Sequence, residues 1–366
     1  MQCIYCNKKE RETTFIGREH VLPRFMGVFE NNPTIVGWVC DICNSKIFNP
    51  LETKFKEDTE EGIFYQMFNF GNSTQIRIRG ENVKTEFLSG FREKFFDDIF
   101  PFLKWQDDDW NIFLLPQIKI KRYGGNGYVV ILIEALKKLS NGKFNKLKKM
   151  LEGTESKDVS IFTGSNDEND TSSLQEAIEI VKSLGIPYKE GKRIFALTPP
   201  QTKKKQYEIS MNCTIGHDAG RIIAKIAFNY FAFCALEEGR SDALFGPEFD
   251  KIKRYILGID NPPIKEIIIS VETNPIIFDE KQKGMRLLGH TITFSAEDGY
   301  IISKISFIGK KIYTVILGQI PKELNRADFG CAHIFDPINK KTLQLTQNVF
   351  KWGSGQEMGF GLFKRL

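Results

Sequence analysis

The sequence predicts an α+β protein. A small N-terminal module stapled by metal is followed by a mixed α/β body that contains an antiparallel sheet. Three observations predict it. Four of the seven cysteines fall in two C-x2-C pairs, "CIYC" at 3–6 and "CDIC" at 40–43, within a stretch poor in long apolar runs. Residues 217–239, "HDAGRIIAKIAFNYFAFCALEEG", are apolar nearly all round, the mark of a buried helix. Residues 265–318 hold β-branched runs separated by turn signals, the pattern of an antiparallel meander.

The elements follow in chain order. Residues 1–60 form the stapled module, which is too small to bury much surface without a staple. Residues 46–70 read as a helix and then a Phe-rich connector, "GIFYQMFNF". A middle region, 61–200, opens with "STQIRIRG", which alternates with the period of a strand. "NIFLLPQIKIKRYGGNGYVVILIEAL" reads as a hairpin around "GGNG" that passes into a helix. "LKKLSNGKFNKLKKM" is a basic helical stretch, and "TGSNDENDTSS", 163–173, is a loop or exposed linker. "LQEAIEIVKSLGIPY" is an amphipathic helix ended by Gly185 and Pro187. The last region, 201–366, holds a loop at "KKK" (203–205), the apolar helix, a shorter helix "FDKIKRYILG" and the meander. Its turns are "AEDG" and "IGKK", between strands such as "HTITF", "YIISKISF" and "KIYTVILG". This region is expected to recognise substrate or to regulate.

Composition narrows the class. The chain has 366 residues, 41% apolar and 27% charged, as soluble globular proteins are. Its 31 phenylalanines point to aromatic cores rather than disorder. A net charge of +5 permits nucleic-acid binding without demonstrating it. No apolar run reaches the ~18 residues of a membrane span, so no membrane partner is expected. Cys3 and Cys6 stand where a signal peptide would be, which predicts the reducing cytoplasm. There, paired cysteines point to metal more than to disulfides.

Each C-x2-C pair sits on a tight turn that can aim two sulfurs at one ion, and tetrahedral zinc takes such a set. The 33-residue gap between the pairs is longer than in a plain zinc ribbon, so the pairs hold the base of an excursion. "GREHVLP", 17–23, lies in that excursion. His20 is one of only four histidines and adjoins the carboxylate of Glu19. Asn44 follows the last zinc cysteine directly, so a metal that fixes Cys43 also fixes Asn44.

Two C-x2-C pairs, an acidic residue and His between them, and Asn after the last cysteine resemble the zinc-stapled HNH endonucleases. The likeness is to the endonuclease VII type of spacing and to the wording "EHV-x-P" and "C-x2-C-N", and it covers residues 1 to about 55. It implies a ββα-metal fold for the module and hydrolysis of phosphodiester bonds. Carried over by position, it implies that His20 is the general base and that Glu19 and Asn44 hold a divalent ion. The chemistry agrees: an imidazole titrating near 6.5 suits a base at pH 7. A hard ion such as Mg2+ or Mn2+ takes oxygen ligands, while Cys3, Cys6, Cys40 and Cys43 would keep a structural Zn2+.

One departure stands out. Many members carry a further histidine eight or nine residues after the asparagine, where this chain has Glu52 and Thr53. Glu52 is the alternative carboxylate ligand and Asn49 a weaker one; a solvated helix residue is the plain reading of Glu52. Arg18, Arg24 and Lys46 are candidates for phosphate contact, or ordinary surface charges.

The expected function is a metal-dependent endonuclease acting on nucleic acid, DNA above all, in a restriction or anti-phage role. A homodimer or a partner protein is open to it. The alternatives are an effector nuclease released by a partner or signal, and a non-catalytic zinc-finger DNA-binding protein.

Other features read more plainly. Asp218 or a neighbour caps the long helix, and His217 is structural. Arg221, Lys225 and Asn229, spaced by four, either face DNA or the nuclease module or form a buried, satisfied stripe. Lys143, Lys146, Lys148 and Lys149 would suit a phosphate backbone but read first as a solvated face. Cys213, Cys234 and Cys331 read as small buried apolar residues. His290 and His333 have no clustered partners in the sequence.

Overall fold

The computed structural model describes residues 1–68, 75–81, 83–88, 100–106, 109–113, 115–121, 127–153, 159–163, 171–186, 208–213, 215–273, 289–308, 311–320 and 330–345. The N-terminal module is two cysteine knuckles, a hairpin and a helix. Strand β1 (Arg18–His20) pairs antiparallel with β2 (Thr34–Val36), and Glu19 stands opposite Ile35. The second knuckle runs straight into a π-helical turn, Ile42–Phe48, which continues as α1 (Asn49–Asp58). Pro50, with no N–H to donate, sits where the wide turn gives way to α1.

The Phe-rich stretch read as a connector is instead a helix, α2 (Glu60–Phe68). Thr59 Oγ1 accepts the Gly62 N–H at 3.0 Å, and Glu60 and Glu61 occupy the first turn, where the helix dipole favours carboxylates. Gly62 is required at this corner, because a Cβ there would lie 2.3 Å from the Phe55 carbonyl oxygen.

The middle region contributes β3 (Gln75–Ile78), β4 (Val83–Leu88), β5 (Phe102–Gln106), β6 (Asp109–Phe113), β7 (Gln117–Lys121) and β8 (Tyr128–Leu132). After them come α3 (Ile133–Leu136), α4 (Asn141–Met150), β9 (Val159–Phe162) and α5 (Thr171–Ser183). Strands β3-β8-β7-β9 make an antiparallel sheet in that order. The β7–β8 hairpin stands around the predicted "GGNG" turn; residues 122–126 lie outside the described residues. The basic stretch breaks at Ser140 into α3 and α4. Residues 164–170 of the expected linker, Pro187 and residues 203–205 also lie outside the described residues, and 171–173 already belong to α5.

The last region contributes β10 (Glu208–Cys213), α6 (His217–Glu237), α7 (Asp250–Leu257), β11 (Ile268–Thr273), β12 (His290–Glu297), β13 (Tyr300–Phe307), β14 (Lys311–Gln319), β15 (Gly330–Asp336) and β16 (Lys341–Leu345). β10 pairs with β4 of the middle region. Six strands form one antiparallel sheet, ordered β11-β14-β13-β12-β15-β16 among the described residues. The expected meander is therefore β12–β13–β14, while β11 pairs beyond β14. Asp298 and Gly299, with φ of 47° and 84°, turn β12 into β13.

Helix α6 joins the parts. Its apolar residues share one core with Ile4, Tyr5, Val21, Phe48 and Phe55 of the module and with Ile292, Ile305 and Phe335 of the six-stranded sheet. By length and composition alone α6 is apolar enough to cross a membrane, although Arg221, Lys225 and Asn229 interrupt its apolar run. In the fold 78% of that stretch is buried. A second core lies between β7, β8, β9, α4 and α5.

Candidate active site

The strand period decides which side chains of β1 turn inward. Arg18 is exposed, Glu19 is buried at 3% exposure and His20 is half-buried. Two side chains fix the path into this strand, one by accepting and one by donating. Asp41, just after Cys40, accepts from the Thr14 hydroxyl and from the Gly17 N–H at 2.8 Å. Those bonds hold its carboxyl below the usual range. Asn44 donates from Nδ2 to the Arg18 carbonyl at 3.3 Å. A Cβ on Gly17 would stand 2.9 Å from Asp41 Oδ1 and 3.0 Å from Asn44 Nδ2, so glycine lets the three approach.

Glu19 is met from α6, a helix about 200 residues later in the chain. Lys225 Nζ is fully buried, pairs with Glu19 Oε1, and lies 2.6 Å from Glu52 Oε1 of α1. Asn229, one turn on, donates from Nδ2 to Glu19 Oε1 at 2.8 Å and to the His20 carbonyl at 3.3 Å. Its Oδ1 accepts the Tyr5 hydroxyl at 2.5 Å. Tyr5 lies between Cys3 and Cys6, so the first knuckle is linked through Tyr5 and Asn229 to Glu19. One ammonium faces two acidic side chains.

Burial pushes the Glu19 carboxyl up, and Glu52 adds to the rise against the pull of Lys225. Burial also works against the Lys225 ammonium, but the two carboxylates hold its pKa above the ordinary lysine value. His20 Nδ1 is 3.3 Å from Asn32 Nδ2. Among the described residues, Asn32 Oδ1 is buried without a hydrogen-bond partner. Either face of that amide can fix the imidazole at Nδ1 and leave Nε2 for another partner. Burial and the charges of Arg24 and Lys225 push the His20 imidazole below its ordinary 6.5.

The structure thus brings together Glu19, Glu52 and, beside them, His20. It sets Asn44 against the Arg18 carbonyl. Arg18, Arg24 and Lys46 are exposed, and among the described residues none forms an ion pair. Of the Arg221–Lys225–Asn229 stripe, Lys225 and Asn229 are buried, satisfied and turned to the module, whereas Arg221 bonds the Ile256 carbonyl of α7 at 3.0 Å. Asp218 does not cap α6 with its side chain; it pairs with Lys54 of α1 at 2.8 Å and with Arg221. Sequence reasoning missed Tyr5, Asn32 and the partnering of Lys225; the spacing of 221, 225 and 229 was the only signal for the last.

A cleft of about 730 Å³ opens beside Glu52, between α1 and α4. Lys56, Arg77, Lys143 and Lys146 line it, so part of the basic α4 face is a wall of this cleft.

The four thiols converge as a metal site requires. Tetrahedral zinc with Zn–S bonds of about 2.3 Å holds its sulfurs about 3.8 Å apart. Here Cys3 and Cys43 are 3.9 Å apart, Cys6 and Cys40 are 3.6 Å apart, and all four lie within 4.8 Å of one another. These cysteines could hold a zinc ion. Glu19 and Glu52 suit a hard divalent cation by donor type, and the point they share is held by Lys225 Nζ.

Clustered thiols that could hold a metal, a hairpin bearing Glu-His, and a helix started at the second knuckle define this small domain. Residues 3–60 match the family model described as HNH endonuclease, so this N-terminal part of the chain is similar to an HNH endonuclease domain. No curated protein and no solved structure matches the chain.

Proposed function

We propose that the chain is a metal-dependent HNH endonuclease that hydrolyses phosphodiester bonds of nucleic acid, with DNA as its substrate. The convergence of Glu19 and Glu52 on one cation position, beside a half-buried imidazole held neutral, carries this reading. Glu19 and Glu52 would hold Mg2+ or Mn2+, and Asn44 would offer its side-chain oxygen, as the family's asparagine does. Such an ion supplies positive charge against the negative charge that develops on the phosphate.

His20 accepts the proton of the attacking water, for which its depressed pKa keeps it ready at pH 7. The water oxygen bonds to phosphorus as the ester P–O bond breaks, and the leaving oxygen takes a proton from solvent. Arg18, Arg24 and Lys46 hold phosphates near the strand, and Lys56, Arg77, Lys143 and Lys146 extend the basic surface along the cleft. Cys3, Cys6, Cys40 and Cys43 keep a structural zinc. A restriction or anti-phage role in the cytoplasm follows the family's habit.

Lys225 favours a second reading, a regulated effector. Its ammonium fills the cation position and comes from the C-terminal body, so a partner or signal that shifts α6 would free Glu19 and Glu52 for a metal. Plasmid cleavage with Mg2+ or Mn2+ by wild type, Glu52→Gln and Lys225→Ala separates the readings. Cutting by wild type that weakens in Glu52→Gln supports the constitutive enzyme. Cutting by Lys225→Ala alone supports the regulated one. DNA binding without cutting by any of the three would favour the non-catalytic zinc-finger alternative.

A further inference from the structure

Away from the nuclease site, α6 and β15 build a second cluster of metal-type ligands. Tyr230 and Cys234 are four apart on α6, and Cys331 and His333 are two apart on β15, so each pair shares one face of its element. The two faces meet. The ligand atoms of Cys234, Cys331 and His333 lie within 4.8 Å of one another. Cys331 Sγ is 3.6 Å from His333 Nδ1. The Tyr230 hydroxyl closes the group, 2.8 Å from His333 Nδ1 and 3.2 Å from Cys331 Sγ. Cys234 and His333 are buried, and Cys331 is partly open to solvent.

We propose that Cys234, Cys331 and His333 bind a second zinc ion, with the Tyr230 oxygen in the fourth position. Zinc bonds of about 2.3 Å to sulfur and 2.0 Å to nitrogen place S and N about 3.5 Å apart, which matches the Cys331–His333 spacing. Two thiols and an imidazole ring meeting at one point give the soft N/S donor set that zinc takes, and each cysteine releases its thiol proton to solvent as it binds. Partly exposed Cys331 gives the ion a way in. The ion would pin α6 to the sheet one turn beyond Asn229, on the helix that carries Lys225 to Glu19. This site is independent of the nuclease reading.

The test is zinc content per chain in the full-length protein, purified under reducing conditions. The expected count is two. Cys331→Ser and His333→Ala should each hold one, and His333→Cys should restore two. Should those variants fail to fold, 113Cd NMR of the cadmium-loaded wild type decides: two signals are expected, one from four thiolates and one from a mixed S/N/O set. A single zinc or a single four-thiolate signal in the wild type overturns the proposal. So does a second zinc retained by Cys331→Ser.

Discussion

Lys225→Met removes the ammonium between Glu19 and Glu52 and keeps an unbranched apolar stem in its place. Little cavity is left, so the cost falls on the carboxylates. Glu52 is 21% exposed along its side chain and can recruit water, whereas Glu19 is 4% exposed and cannot. Breaking a buried pair by removing one partner costs about 3–5 kcal/mol, and the water at Glu52 places this case near the lower end, at about 3. The deficit should shrink as pH falls, because protonated Glu19 no longer needs a cation. It should also shrink with divalent ion, since a ligand at 100 times its Kd stabilises by about 2.7 kcal/mol. Adding Glu19→Gln to the variant removes the second orphaned charge and should recover most of the loss. Urea unfolding of wild type, Lys225→Met and the double variant, at neutral and acid pH and with and without saturating Mn2+, reads all of these effects. A Lys225→Met chain within about 1 kcal/mol of wild type and indifferent to Mn2+ would refute the idea that these carboxylates define a cation position.

Two further outcomes follow from the same geometry. Lys143→Glu with Lys146→Glu should weaken DNA binding and flatten its salt dependence, by about 0.9 in the log–log slope per lost phosphate contact; an unchanged slope would remove α4 from the nucleic-acid surface. His290 is fully buried between the Tyr65 hydroxyl at 3.0 Å and the Met26 carbonyl at 3.2 Å, and burial drives its pKa down to about 4. The unfolded chain then binds the proton first, so stability is full above pH 6.5 and falls as pH drops toward 4. The loss is about 3 kcal/mol. His290→Gln should lack this share of the acid slope in urea melts across that window; an identical slope would contradict it.

The sequence carried the local features well. The cysteine spacing and Glu19-His20 needed only short-range chemistry, and the "GGNG" turn signal placed a hairpin where β7 and β8 stand. Helix α2 was missed because its aromatic residues and Gly62 masked a cap at Thr59 and an acidic first turn. What stayed hidden was long-range. The partner of Glu19 lies on α6, and only the packing of that helix between module and sheet shows that its polar stripe faces inward. The same holds for Cys234 with Cys331 and His333, which looked single because a helix and a strand distant in the chain had to meet first.

The central claim is that this module hydrolyses phosphodiester bonds with His20 as its base. Its most direct measurement is the single-turnover cleavage of plasmid DNA with Mn2+ by Lys225→Met, the background that frees the carboxylates, and by Lys225→Met with His20→Ala. The account predicts metal-dependent cutting that His20→Ala abolishes while zinc content and fold stay unchanged. Cutting that survives His20→Ala at the same rate would contradict it.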